Sequence, residues 1–132
     1  SLQKTKKHQT WEIGIFHGSP AKPHEFLFHS TADERFIELA SMCKAEIIVC
    51  GHSHDPFHKK FGRQHFINPG SVGRMFDGNP EASCAIIELN KDTFQVKHFR
   101  IGYDVEKTVH RLRKEALPLI YDEMYRLGKK TN

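Results

Sequence analysis

Residues 45–54 read Ala45-Glu46-Ile47-Ile48-Val49-Cys50-Gly51-His52-Ser53-His54, an apolar run that stops at a glycine and hands over to two histidines. A β-branched run without polar alternation is expected where a strand is covered on both faces, as in a parallel sheet. Upstream, Thr31-Ala32-Asp33-Glu34 has the form of a capping box, and Phe36, Leu39, Ala40 and Cys43 recur at helical spacing, which predicts an amphipathic helix over 32–43. Before that helix, Trp11-Glu12-Ile13-Gly14-Ile15-Phe16 reads as another strand, ended by the turn cluster His17-Gly18-Ser19-Pro20. The order strand, helix, strand implies a right-handed parallel unit and an α/β fold class. It brings His17, His52 and His54 to one sheet edge, the carboxyl ends of parallel strands, where ligands gather in open α/β sheets.

Downstream the pattern becomes antiparallel. Phe57 to Phe61 and Gln64 to Ile67 form a hairpin around Gly62-Arg63, and Ala82 to Leu89 and Thr93 to Ile101 form another around Asn90-Lys91-Asp92. A loop rich in glycine and proline joins them, beginning Asn68-Pro69-Gly70-Ser71-Val72-Gly73. The chain then turns helical, with Val105, Val109 and Leu112 on one stripe and Pro118 opening a last helix that carries Ile120, Met124 and Leu127.

The 132 residues have the length of one domain, with 38% hydrophobic and 27% charged residues, a globular composition. No apolar run is long enough to span a bilayer and the first residues contain no signal-like apolar region, so a cytoplasmic protein without membrane contact is expected. Three cysteines, Cys43, Cys50 and Cys84, lie in apolar stretches and suit a reducing compartment. The net charge of +4 draws on Lys4, Lys6, Lys7, Lys129 and Lys130, which read as solvated ends rather than a nucleic-acid footprint.

In an extended segment His52 and His54 would point to the same side, and neutral imidazole is the commonest metal-ligating side chain. Taken alone, His-x-His fits exposed surface histidines as well as a metal site. His17, arriving from the neighbouring strand, favours the metal. A mononuclear zinc site of three imidazoles and a water is one form it can take.

The ordered strings His17-Gly18-Ser19-Pro20, Gly51-His52-Ser53-His54 and Ile67-Asn68-Pro69-Gly70-Ser71-Val72-Gly73 resemble the calcineurin-like metallophosphoesterase superfamily, in particular its small bacterial and archaeal phosphodiesterases. So does the later stretch Tyr103-Asp104-Val105-Glu106-Lys107-Thr108 with Leu117-Pro118. The similarity runs from about Trp11 to Leu127. It implies a four-layer αββα sandwich and two divalent ions (manganese, iron, zinc or nickel) that clamp the phosphoryl oxygens and activate water at neutral pH. On that resemblance His17 and His52 ligate one ion and His54 the other, while Asn68, Gly70, Ser71 and Arg74 belong to a loop lining the site. The substrate it implies is a phosphoester, nucleotides among the candidates.

The chain departs from the family by lacking Asp-x-His, Gly-Asp-x-x-Asp and Gly-Asn-His-Asp/Glu, the motifs that supply the remaining ligands and the bridging aspartate. It therefore reads as the C-terminal portion of a metallophosphoesterase domain, with its catalytic acid–base residues elsewhere and no activity alone. Uncovered sheet surface would be closed by the absent N-terminal half or by self-association. The alternative is a non-catalytic protein-interaction scaffold of the same fold. His24, His29, His58, His65, His98 and His110 are expected at the surface or in packing, Asp55 pointing away from the histidines, and Cys50 in the core.

Overall fold

The structure, a computed structural model, describes residues 3–8, 11–91 and 93–131. Its element order is β1 (Gln3–His8), β2 (Trp11–Phe16), α1 (Asp33–Met42), β3 (Ile47–Val49), β4 (Phe57–Phe61), β5 (Gln64–Asn68), β6 (Ala82–Leu89), β7 (Phe94–Ile101), α2 (Val105–Lys114) and α3 (Ile120–Leu127). Five strands form one sheet in the order β1-β2-β3-β5-β4, and β6 and β7 form a second. As expected, β2 and β3 run parallel, with Gly14 opposite Ile48. The hairpin strand β5 also runs parallel to β3, so β3 is central and Ile47 and Ile48 are both buried.

Alternation along the strands sends Ile48 and Phe66 to the face covered by α1. There they pack with Leu27, Phe36, Leu39, Ala45, Cys50 and Phe57. The opposite face meets β7: Phe94 lies edge-on to His65 at 4.2 Å and to Trp11 at 5.5 Å, and the Trp11 indole N–H donates to the Asn90 carbonyl. Helix, sheet and second sheet are thus stacked in that order, a mixed α/β fold. Helices α2 and α3 are clasped by Arg113–Asp122 and Arg126–Glu106 pairs and reach the 70–80 loop through Tyr103, whose hydroxyl donates to the Gly73 carbonyl.

Three expectations require correction. The first residues are not a free tail, because β1 pairs antiparallel with β2, from Gln3 opposite Phe16 to His8 opposite Trp11. Backbone pairing forms a strand there without an apolar pattern, and lysine is a residue that edge strands tolerate. Lys4 is exposed as expected; the Lys6 and Lys7 side chains lie outside the described residues. The capping box does not form: Ala32 is the N-cap of α1, no side chain caps it, and Thr31 Oγ1 instead accepts from the Phe28 N–H. Helix α1 also spans 33–42 rather than 32–43. Asp92, in the expected β6–β7 turn, lies outside the described residues, and the turn closes through Asn90 N–H to the Thr93 carbonyl.

Between the sheets, His58 Nε2 and His65 Nδ1 are 3.0 Å apart, and His98 Nε2 lies 2.8 Å from the Asn68 carbonyl. Burial, then the neighbouring His58 and Lys60 charges, push the His65 pKa down to about 4. The folded state therefore favours neutral imidazole. The stability this provides is complete above the ordinary value of 6.5 and is lost as pH falls from there toward about 4. Urea unfolding should show this acid loss, and His65→Gln should flatten it; an unchanged pH slope in that variant would contradict the account.

Candidate metal centre

His17 follows β2 and His52 follows β3, and the Gly51 N–H donates to the His17 carbonyl at 3.0 Å, extending the parallel pairing by one step. The two imidazole centroids lie 4.6 Å apart. Burial, reinforced by His17, His24 and His54, lowers the His52 pKa and favours its neutral, electron-donating form.

The histidine loop is not extended. His52 has φ 65° and His54 φ 60°, both left-handed, a conformation that costs non-glycine residues on the order of 1–3 kcal/mol each. His52 and His54 are therefore not set on one side by strand alternation, and tertiary bonds impose the geometry instead. Asn68, fully buried, donates from Nδ2 to the Gly51 carbonyl (3.2 Å) and to Ser53 Oγ (2.9 Å), and its Oδ1 accepts from the Gly70 N–H. Ser53 Oγ donates in turn to the Leu27 carbonyl at 2.6 Å. His54 Nδ1 lies 2.6 Å from the Arg74 carbonyl. Since a carbonyl only accepts, Nδ1 carries the proton, and in the neutral ring Nε2 keeps its lone pair for another partner.

His17 and His52 are brought together, with His24 6.3 Å from His52. His54 instead stacks on Phe76 at 5.2 Å. Among the described residues, no three or more His, Cys, Asp or Glu side chains gather closely enough to hold a metal ion. The imidazoles fit the nitrogen half of a metal centre, while the nearby carboxylates are committed elsewhere. Asp55 accepts from the His29 N–H at 2.6 Å, although it lines one cleft with His52 and His54, and Asp77 pairs with Arg100 at 2.7 Å. Cys50 is core: burial pushes its thiol up to about 12.

The loop residues divide in role. Gly70, at φ 82°, passes so close to Ser83 that an added Cβ would sit 2.6 Å from its side chain. Ser71 serves the loop itself, its Oγ accepting from the Arg74 N–H and its carbonyl from the Ser83 N–H. Arg74 lays its guanidinium over the Phe76 and Tyr121 rings, at 5.5 and 5.1 Å. The loop after His17 is equally constrained: a Cβ on Gly18 would come within 2.7 Å of the Lys22 and Pro23 carbonyls. Buried Ser19 hydrogen-bonds Glu25, whose carboxylate Arg35 holds below its usual pKa through a 2.7 Å ion pair.

Phe26, Phe28 and Phe76 line a cleft of about 550 Å³ beside His52 and His54 and were not singled out by the sequence. The available signal was the alternation Phe26-Leu27-Phe28, in which only the leucine is buried.

Residues 2–92 match the model of the calcineurin-like phosphoesterase superfamily domain. An uncharacterised protein of Methanocaldococcus jannaschii is 31% identical over 130 residues, covering 86% of this chain and 50% of the relative, so the chain spans about half the length of the curated relative it matches. A metallophosphoesterase from Sphaerobacter thermophilus superimposes with a TM-score of 0.81 at 23% identity, over 97% of this chain and 60% of that one. Vps29 from Entamoeba histolytica, solved in complex with zinc, superimposes with a TM-score of 0.53 at 22% identity, over 75% and 59% of the two chains.

Proposed function

The chain belongs to the calcineurin-like phosphoesterase superfamily, and from that premise we propose that it supplies the imidazole ligands of a metal-dependent phosphoester hydrolase. The observation that carries this reading is the pairing of His17 with His52, 4.6 Å apart, at the ends of adjacent parallel strands. His17 and His52 hold one divalent ion and His54 the other; manganese, iron, zinc and nickel all suit imidazole. When bound, the ions supply charge stabilisation and a nucleophile at neutral pH. The chain's own residues orient the ligands: Asn68 and Ser53 fix the histidine loop, and the Arg74 carbonyl sets the His54 tautomer. The carboxylate ligands and the acid–base groups come from a further portion of the protein, as the coverage of the relatives suggests. That portion also covers apolar strand residues left exposed here, Ile15 on the first sheet and Ile86 and Ile101 on the second.

Calorimetric titration with Mn²⁺ or Zn²⁺ at neutral pH tests the proposal. His17→Ala and His52→Ala should each weaken binding at least about 10-fold, whereas His110→Ala, on exposed α2 surface, should not. The 132-residue chain alone should not turn over a phosphodiester. Metal binding that ignores His17 and His52 would overturn the reading. It would favour a protein-interaction scaffold of the same fold, for which the exposed isoleucines are the supporting observation.

A further inference from the structure

The cleft beside the histidines is walled by aromatic rings that contribute little to the core. Phe26 and Phe28 are 54% and 41% exposed, and their rings are parallel within 6°, with centroids 6.1 Å apart. Leu27 between them is fully buried and anchors the pair, because its carbonyl accepts from Ser53 Oγ of the histidine loop. The Phe26 ring lies 4.0 Å from His52, and on the other side Phe76 stacks within 7° of His54. Each imidazole is thus flanked by a phenyl ring, and the cleft of about 550 Å³ between them is of small-molecule size.

Charge narrows the occupant. Arg74 and Lys130 line the cleft, and among the described residues neither forms an ion pair. The two acids lining it are already used, Asp55 by the His29 N–H and Asp77 by Arg100. The charge left for a ligand is therefore positive, beside a flat apolar wall. Stacking on such a wall tolerates any planar π face, and the cations require an anionic group on the same molecule.

We propose that this cleft binds a phosphoester carrying a flat aromatic group, a nucleobase or an aryl ring, with the ring on Phe26 and Phe28 and the phosphoryl group toward His52 and His54. The proposal rests on the reading of the histidines as a phosphoester site and adds the part of the substrate that is recognised. Phe26 and Phe28 are specificity-determining residues in this account, and a sugar phosphate lacking a ring gains nothing from them.

The test measures binding of AMP, 4-nitrophenyl phosphate, ribose 5-phosphate and inorganic phosphate to the chain by calorimetry, with and without Mn²⁺. At least one aromatic phosphoester should bind about ten-fold or more tighter than ribose 5-phosphate. Which of AMP and 4-nitrophenyl phosphate binds better separates a nucleobase from an aryl preference. The double variant F26A/F28A should erase the advantage, bringing AMP and 4-nitrophenyl phosphate to the affinity of ribose 5-phosphate; both side chains are exposed, so the fold should tolerate it. Equal affinity for AMP, 4-nitrophenyl phosphate and ribose 5-phosphate, no binding of any of them, or an advantage that survives in F26A/F28A would overturn the proposal. Metal binding that ignores His17 and His52, with the aromatic advantage intact, would overturn the metal centre alone.

Discussion

Asn68→Ala is expected to lower the unfolding free energy by about 2–4 kcal/mol and to weaken metal binding at the same time. The side chain is fully buried and serves three partners: the Gly51 carbonyl, Ser53 Oγ and the Gly70 N–H. Alanine leaves those groups, the buried Ser53 Oγ among them, without this partner, and each such loss costs roughly 1–3 kcal/mol before relaxation. The links are also what hold His52 and His54 in left-handed backbone. Without them the loop can relax toward lower-energy dihedrals, so the imidazoles lose their alignment. Asn68→Asp keeps an acceptor for Gly70 but aims a carboxylate at the Gly51 carbonyl, and should be no better than alanine. Urea unfolding and metal titration read the two effects. A loss below about 0.5 kcal/mol, the range of ordinary surface substitutions, would show that the loop is held by something else.

Phe36→Ala should cost more, about 3–5 kcal/mol. Phe36 is fully buried where α1 meets the sheet, with ring centroids 5.7 Å from Phe57, 5.2 Å from Phe61 and 5.2 Å from Phe66. Lys59 lies 4.8 Å above the same ring while pairing with Asp33 at the start of the helix. Truncation would open a cavity among the three remaining aromatic rings, which cannot all move inward. Phe36→Leu, which refills most of the volume, should cost under about 2 kcal/mol. The measurement is again urea unfolding, and equal losses for alanine and leucine would contradict the packing account.

Those two positions differ in how far the sequence revealed them. Phe36 was legible because helical periodicity with Leu39 is a direct record of burial, and the run Ile47-Ile48-Val49 likewise marked the central strand. The Asn68 loop was expected to line the site, yet its hold on the histidine loop depends on side-chain bonds between segments 15 to 17 residues apart. Strand β1 was illegible, since Gln3–His8 has no apolar alternation and exists through pairing with β2. The capping box failed because Thr31 found a nearer backbone donor in Phe28. Convergence of His17 and His52 followed from strand order alone. The left-handed turns at His52 and His54 did not, because no local signal sets φ positive in a histidine when the cause is the carbonyl of Arg74 and the amide of Asn68. Phe26 and Phe28 were hidden for a different reason: in a sequence, an aromatic facing a ligand and one facing a core look the same.

The central claim is that His17 and His52 are metal ligands, and anomalous diffraction from zinc-soaked crystals tests it most directly. The expected result is a zinc-edge peak bonded to imidazole nitrogens of both His17 and His52. Zinc found only elsewhere, for instance between His58 and His65, whose ring nitrogens already lie 3.0 Å apart, would contradict it.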